Sequence, residues 1–117
     1  MQTPETPTSH VRGTTLEFHG WVWRGGARKT DLPADTLILT IADPQTMVPV
    51  ITRSTGSADV EQRPDGSWRV TIPAGETKRA RLPKDTYWVH VALIDHTTGK
   101  EWCVGRGPLT LLPSPRG

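Results

Sequence analysis

The stretch LPKDTYWVHVAL, residues 82–93, decides the fold that the sequence predicts. After the Leu-Pro pair, apolar residues recur at every second position, which is the period of a β-strand rather than of a helix. A Tyr at the start of such a strand can hydrogen-bond to backbone a few residues upstream and fix the crossing of the chain between two sheets. We therefore predict a structural corner at Leu82, Pro83 and Tyr87, with Leu82 in the core. The inward face of the strand is predicted to carry Tyr87, Val89, Val91 and Leu93.

Short strand patterns separated by turn signals continue on both sides of this corner. TTLEFHGWVW, TLILTIAD and SWRVTIP precede it, and KEWCV and PLTLL follow it. No long helical pattern alternates with these segments, so a parallel βαβ arrangement is not expected. Seven or eight strands with a turn signal about every ten residues are typical of an all-β antiparallel sandwich.

The composition predicts one domain with unstructured ends. The chain has 117 residues, and its 34% hydrophobic content and 11 Pro suit short strands and many turns. The first residues are rich in Thr and Pro and have no periodicity. We expect an extended arm over residues 1–13, a β-sandwich over 14–112 and a tail over 113–117.

A family resemblance follows from the order of these motifs. The corner L-P-K-D-T-Y-W-V-H-V resembles that of fibronectin type III and immunoglobulin-like domains. With G-S-W-R-V-T-I-P-A-G-E-T, I-D-H-T-T-G-K and G-R-G-P-L-T-L, the chain looks like the small immunoglobulin-like virion structural proteins of tailed bacteriophages. Two features depart from the wider families: TLILTIAD lacks the Trp of fibronectin modules, and Cys103 has no second Cys to pair with.

This resemblance implies an immunoglobulin-like sandwich that acts in protein–protein assembly rather than as an enzyme. The expected places are a tail, baseplate or fibre-attachment adaptor, or a capsid decoration. The implied partners are other virion proteins, with the chain multimeric in the assembly. The implied location is the virion, after synthesis in the host cytoplasm.

The residues themselves indicate no catalytic, cofactor or metal site. The four His are scattered, Cys103 lies in a strand pattern where a buried thiol is expected, and Gly25-Gly26 lacks the strand–loop–helix context of a phosphate site. The N-terminus has no signal-peptide pattern, and no apolar run is long enough for a membrane span.

Five Trp in so short a chain are the feature that most favours a binding surface. Trp68 and Trp102 are expected in the core, whereas Trp21, Trp23 and Trp88 share strand faces with polar residues. If exposed, these three can anchor a protein interface or, as an alternative, stack on a glycan in a carbohydrate-binding module. A register error of one residue would instead place them in the core.

Basic residues suggest a second candidate surface. If TTLEFHGWVW is the first strand, the first–second and fifth–sixth connections lie at one end of the sandwich and form a basic pole. Such a pole predicts docking on an acidic protein or, as another alternative, on nucleic acid, although the net charge of +2 makes nucleic acid unlikely and solvated loops explain the cations equally well. Its interface candidates are Arg28, Lys29, Lys78, Arg79, Arg81 and Lys84.

Overall fold

The computed structural model describes residues 8–114, which form strands joined by turns and two short 3-10 segments, Leu32–Ala34 and Ala74–Thr77. The strands are β1 (Thr8–Val11), β2 (Leu16–Trp21), β3 (Trp23–Arg24), β4 (Ala27–Arg28), β5 (Thr36–Ala42), β6 (Pro49–Ser54), β7 (Val60–Gln62), β8 (Ser67–Ile72), β9 (Thr86–Ile94) and β10 (Glu101–Leu112).

The strands assemble into two main sheets and a small hairpin. The larger sheet has the order β1-β10-β9-β5-β6, the smaller one β2-β8-β7, and β3 pairs with β4. Leu39 and Val91 from the larger sheet and Val70 and Ile72 from the smaller one belong to a single buried cluster. The fold is therefore all-β, with two sheets that share one hydrophobic core, and each such side chain contributes about 1.5–3 kcal/mol by leaving water.

Strand β9 lies at the centre of the larger sheet and pairs antiparallel with both β5 and β10. The segments KEWCV and PLTLL, expected as two strands, form the one strand β10. The register of β10 against β9 shifts between Cys103 and Gly105. A β-bulge absorbs one extra residue and bends the strand without ending it, which explains why the Gly-rich segment does not terminate β10.

Residues 8–13 belong to the folded domain, which corrects the expected end of the arm at residue 13. Strand β1 pairs parallel with β10, with Thr8 opposite Leu109, and the backbone N–H of Arg12 donates to the carbonyl of Leu112 at 3.0 Å. Backbone groups make these bonds, so the Thr-rich and polar composition did not indicate the strand. Residues 1–7 of the expected arm and 115–117 of the expected tail lie outside the described residues.

The corner before β9 is held from two sides. The Tyr87 hydroxyl, which is buried, accepts a hydrogen bond from the backbone N–H of Lys84 at 2.9 Å. Arg12 is only 1% exposed, and its guanidinium donates to the carbonyls of Leu82 and Lys84 and to the Asp85 carboxylate. Leu82 is fully buried beneath the corner, whereas Pro83 is exposed. Arg12 was not identified from the sequence, because its partners lie about seventy positions away.

Candidate interaction surfaces

An exposed aromatic cluster, Trp21, Trp23 and Arg28, lies where β2 ends and the β3–β4 hairpin begins. The guanidinium carbon of Arg28 is 3.8 Å from the ring centroid of Trp21 and 5.5 Å from that of Trp23. The two Trp are 46% and 51% exposed. Cation–π contacts of this kind contribute about 0.5–1 kcal/mol at exposed sites and hold the indoles in place.

The hairpin itself explains this arrangement. Gly25 and Gly26 have φ angles of 59° and 83°, the left-handed backbone that a tight two-residue hairpin turn requires. The turn sets Trp23 directly opposite Arg28 in the register. Because cross-strand partners project from the same face, their side chains meet.

Trp102 extends the aromatic surface, contrary to its expected place in the core. It is 36% exposed, and together with Trp23 it lines a shallow pocket of about 220 Å³ that also includes Arg24 and Lys100. In the sequence, Trp102 shares a strand face with Val104, and this pattern is as typical of a core residue as of an exposed one. Its exposure follows from its place near the start of β10, next to the β9–β10 turn.

Trp88 and Trp68 do not join this surface. Trp68 is buried in the core, as expected. Trp88 is half-buried on β9, where it pairs with Ala42 and Pro108. Trp102 pairs with Leu93 on the same strand, so about 17 Å of strand separates the two positions. The three Trp proposed from the sequence therefore do not form one surface.

Lys29, an interface candidate, is buried, which removes it from any docking surface. Its ammonium lies 2.6 Å from Asp31, 2.8 Å from Asp35 and 3.6 Å from Asp95. Burial alone lowers the pKa of Lys29, but hydrogen bonds and charge from Asp31 and Asp35 outweigh it and raise the pKa above its ordinary value. The ammonium thus links the loop before β5 to the turn after β9.

The same region contains the carboxylate and imidazole groups of Asp35, Asp95 and His96, whose ligand atoms lie within 4.8 Å of one another. These groups are already paired. The His96 Nδ1 atom is 2.5 Å from Asp35. The backbone N–H groups of Thr97 and Thr98 donate to Asp95. These hydrogen bonds, together with the charges of Lys29 and Arg24, lower the pKa of the Asp95 carboxyl. Because Lys29 already occupies the place of a cation here, the arrangement is an ion-pair network rather than a metal centre.

The expected basic pole is divided between two ends of the molecule. The Arg28 hairpin lies near the turn after β9, since the neighbouring Arg24 pairs with Asp95 at 3.1 Å. Lys84 contacts Asp43, which follows the other end of β5. The strand between those ends spans about 20 Å. The prediction was wrong because it assumed that every connection reverses the chain. Strands β6 and β7 both end near the start of β5, where Ser54 pairs with Ile38 and Gln62 donates to the carbonyl of Asp35. They therefore run in the same direction, which changes the end at which each later connection lies.

The remaining basic candidates stay exposed at the Lys84 end. They are Lys78, Arg79 and Arg81. Arg79 and Arg81 approach Asp85 and Glu76 at 3.9 Å, which offsets part of their charge.

A larger cleft, of about 640 Å³, opens between β2 and β10. Phe18 and Trp68 of the smaller sheet and Val91, Gly105 and Gly107 of the larger sheet are among its lining residues. The cleft was not predicted, because it depends on which strands remain unpaired.

No protein-family model and no curated protein sequence matches this chain. Among residues 8–114, no helix has the length and hydropathy needed to cross a bilayer.

Proposed function

We propose that this chain is a non-enzymatic, immunoglobulin-like assembly module of a tailed-phage virion, which binds another virion protein through the aromatic cluster of Trp21, Trp23 and Arg28. The observation that carries the proposal is the exposure of two large indoles held by one cation at the end of a rigid hairpin. Trp and Arg are the residues most enriched among interface hot spots.

Two features support the immunoglobulin-like part of this proposal. The order β10-β9-β5 in one sheet and β2-β8-β7 in the other corresponds to the division of strands in that architecture. The hydrogen bond from the Lys84 N–H to the Tyr87 hydroxyl corresponds to its tyrosine corner. The virion role itself rests on the sequence resemblance.

The non-enzymatic part is supported by the state of the polar groups. In the described part of the chain, one cluster of carboxylates and imidazole brings three ligand groups together, and its carboxylates are ion-paired with Lys29 and Arg24. Structural ion-pair networks of this kind occur in folded domains without a catalytic role.

The test is incorporation into particles. Quantitative mass spectrometry of separated heads and tails would give the copy number of the wild type and of the Trp21→Ala/Trp23→Ala variant. We expect the wild type in one fraction at fixed stoichiometry and loss of the double variant from it, with Trp88→Ala as the matched control. Absence of the wild type from both fractions would contradict the virion role, and normal incorporation of the double variant would contradict the proposed surface.

Glycan binding is a second candidate, favoured by the pocket between Trp23 and Trp102. Paired indoles beside Arg24 and Lys100 offer stacking faces together with hydrogen-bond donors. A change in Trp fluorescence on titration with phage-host surface polysaccharide, lost in Trp102→Ala, would support it. Nucleic-acid binding is less well supported, because the basic residues are divided between two ends.

A further inference from the structure

The two faces of the β3–β4 hairpin carry different kinds of contact. The aromatic cluster occupies one face, where Trp23 lies opposite Arg28. Because successive side chains of a strand point to opposite faces, the residue that follows each of these two lies on the other face. These following residues are Arg24 and Lys29, and both reach the same carboxylate oxygen, Oδ2 of Asp95, at 3.1 Å and 3.6 Å. One residue of the turn after β9 therefore holds both arms of the hairpin.

The Asp95 carboxylate is fixed in the orientation that this contact needs. The residue is buried, and its Oδ1 atom accepts hydrogen bonds from the backbone N–H groups of Thr97 and Thr98 at 2.7 Å and 3.2 Å. These bonds tie one oxygen to the turn and leave Oδ2 for the two cations of the hairpin. A charge that is shielded from water interacts more strongly than an exposed one, so the position of the turn is passed on to the hairpin.

A second turn contacts the hairpin at its backbone. Gly66, between β7 and β8, has a φ angle of 85°, and its carbonyl accepts a hydrogen bond from the Val22 N–H at 2.8 Å. A Cβ atom at Gly66 would lie 2.9 Å from the Arg28 Cβ and 3.1 Å from the Lys29 nitrogen. The absence of a side chain lets the turn lie against the arm that carries Arg28. This contact sets the point from which the guanidinium reaches the ring of Trp21.

We propose that Asp95 and Gly66 are the positioning residues of the aromatic cluster. Together they hold the hairpin so that Arg28 lies over Trp21 in the free chain, before a partner binds. An interface that is already ordered loses less conformational entropy on binding, so residues that do not touch the partner contribute to its affinity. The inference rests on the proposed role of the cluster as an interface, but the positioning itself is measurable in the chain alone.

NMR spectroscopy of the full-length chain tests the role of Gly66. Protons above an indole ring are shifted to high field, so the side-chain protons of Arg28 report their contact with Trp21. In Gly66→Ala we expect these resonances to move towards the values of an unstacked arginine, because the new Cβ displaces the hairpin.

Gly56→Ala is the matched control for the backbone. Gly56 also has a positive φ angle, of 100°, but among the described residues no atom lies within 4 Å of a Cβ added there. Both substitutions strain a turn, and only Gly66→Ala should move the Arg28 resonances. Equal shifts in the two variants, or unchanged resonances in Gly66→Ala, would overturn the proposal.

Hydrogen exchange tests the role of Asp95. Asp95→Asn keeps the size of the side chain and an oxygen for the N–H groups of its own turn, but removes the charge that holds Arg24 and Lys29. The Lys29 N–H donates to the Val22 carbonyl at 2.8 Å across the base of the hairpin, so its exchange rate reports opening of the hairpin. The Leu111 N–H donates at 2.7 Å to a carbonyl just before β9, so its exchange rate reports opening of the larger sheet.

In Asp95→Asn we expect exchange at Lys29 to accelerate at least about tenfold more than exchange at Leu111. The Arg28 resonances should also move, as in Gly66→Ala. Arg24→Gln removes one of the two contacts at a half-exposed residue, so it costs less stability and should show the same difference to a smaller extent. Equal acceleration at the two amides would mean that Asp95 supports only the overall fold, and would overturn the proposal.

Incorporation into particles separates this inference from the proposed function. Loss of Trp21→Ala/Trp23→Ala from particles, with unchanged Arg28 resonances in Gly66→Ala and Asp95→Asn, would overturn the positioning role alone. Displaced resonances in both positioning variants, with normal incorporation of Trp21→Ala/Trp23→Ala, would support the positioning role and contradict the interface. If both proposals hold, Asp95→Asn should reduce incorporation although its side chain is buried.

Discussion

Replacing Lys29 by Met should destabilise the domain strongly, because it removes the cation from the centre of a buried network. The Lys29 side chain is 1% exposed, and its partner Asp35 is fully buried. Methionine has a similar length, so the packing of the stem is largely kept while the charge of Asp35 is left without its ammonium. Removing one partner of a buried ion pair costs about 3–5 kcal/mol.

The lower end of that range is expected here. Asp31 is 44% exposed and can regain water, and Arg24 remains 3.1 Å from Asp95. We therefore expect a loss of about 3 kcal/mol in the free energy of unfolding. In urea denaturation this corresponds to a midpoint lower by about 1–3 M, since slopes for small proteins are about 1–3 kcal/mol per M.

Two further variants make the test specific. Lys78→Met removes an exposed lysine and should change the free energy of unfolding by no more than about 0.5 kcal/mol. Lys29→Met combined with Asp35→Asn removes the abandoned charge as well, and should regain part of the lost stability. The reasoning is refuted if Lys29→Met behaves like Lys78→Met, or if the double variant is no more stable than Lys29→Met alone.

Two other predictions concern the core and the response to acid. Gly20→Ala should lower the free energy of unfolding, measured in urea, by about 1–3 kcal/mol, because the new Cβ would lie 2.8 Å from the Trp68 indole. Gly75→Ala, which has open space around it, should be nearly neutral. Equal effects of the two substitutions would contradict the proposed clash. A hydrogen bond from Lys84 and two backbone N–H groups lower the pKa of Asp43 from 3.8 to about 2. The ionised Asp43 carboxylate therefore stabilises the fold above about pH 4, and this stabilisation is lost as the pH falls towards 2. Thermal midpoints of Asp43→Asn should therefore fall below those of the wild type above pH 4 and converge with them near pH 2, and parallel curves throughout would count against the assignment.

The residues around Tyr87 were predictable because their signal is local. Alternation along β9 indicated that Tyr87, Val89, Val91 and Leu93 face inward, and all four are buried. The all-β class followed from the same kind of pattern, repeated at turn-bounded intervals.

Burial of charged residues was not predictable in this way. Lys29 was placed on the surface because lysine is almost never fully buried unless it is paired. Its partner Asp95 is distant in sequence, and only the meeting of two connections at one end of the sheet brings the two together. The basic pole failed for a related reason, since β6 and β7 run in the same direction, and this changes the end at which each later connection lies.

The parallel pairing of β1 with β10 has a mechanical consequence. Within residues 8–114, this pair begins at Thr8 and ends at Leu112, which lies at its opposite end. A pulling force between these two points runs along both strands, so their hydrogen bonds are loaded together in shear instead of being opened one after another. The guanidinium of Arg12 adds an anchor to the corner at the exit end. A domain that is held between two neighbours by its ends would therefore resist extension through the four residue pairs that join β1 to β10.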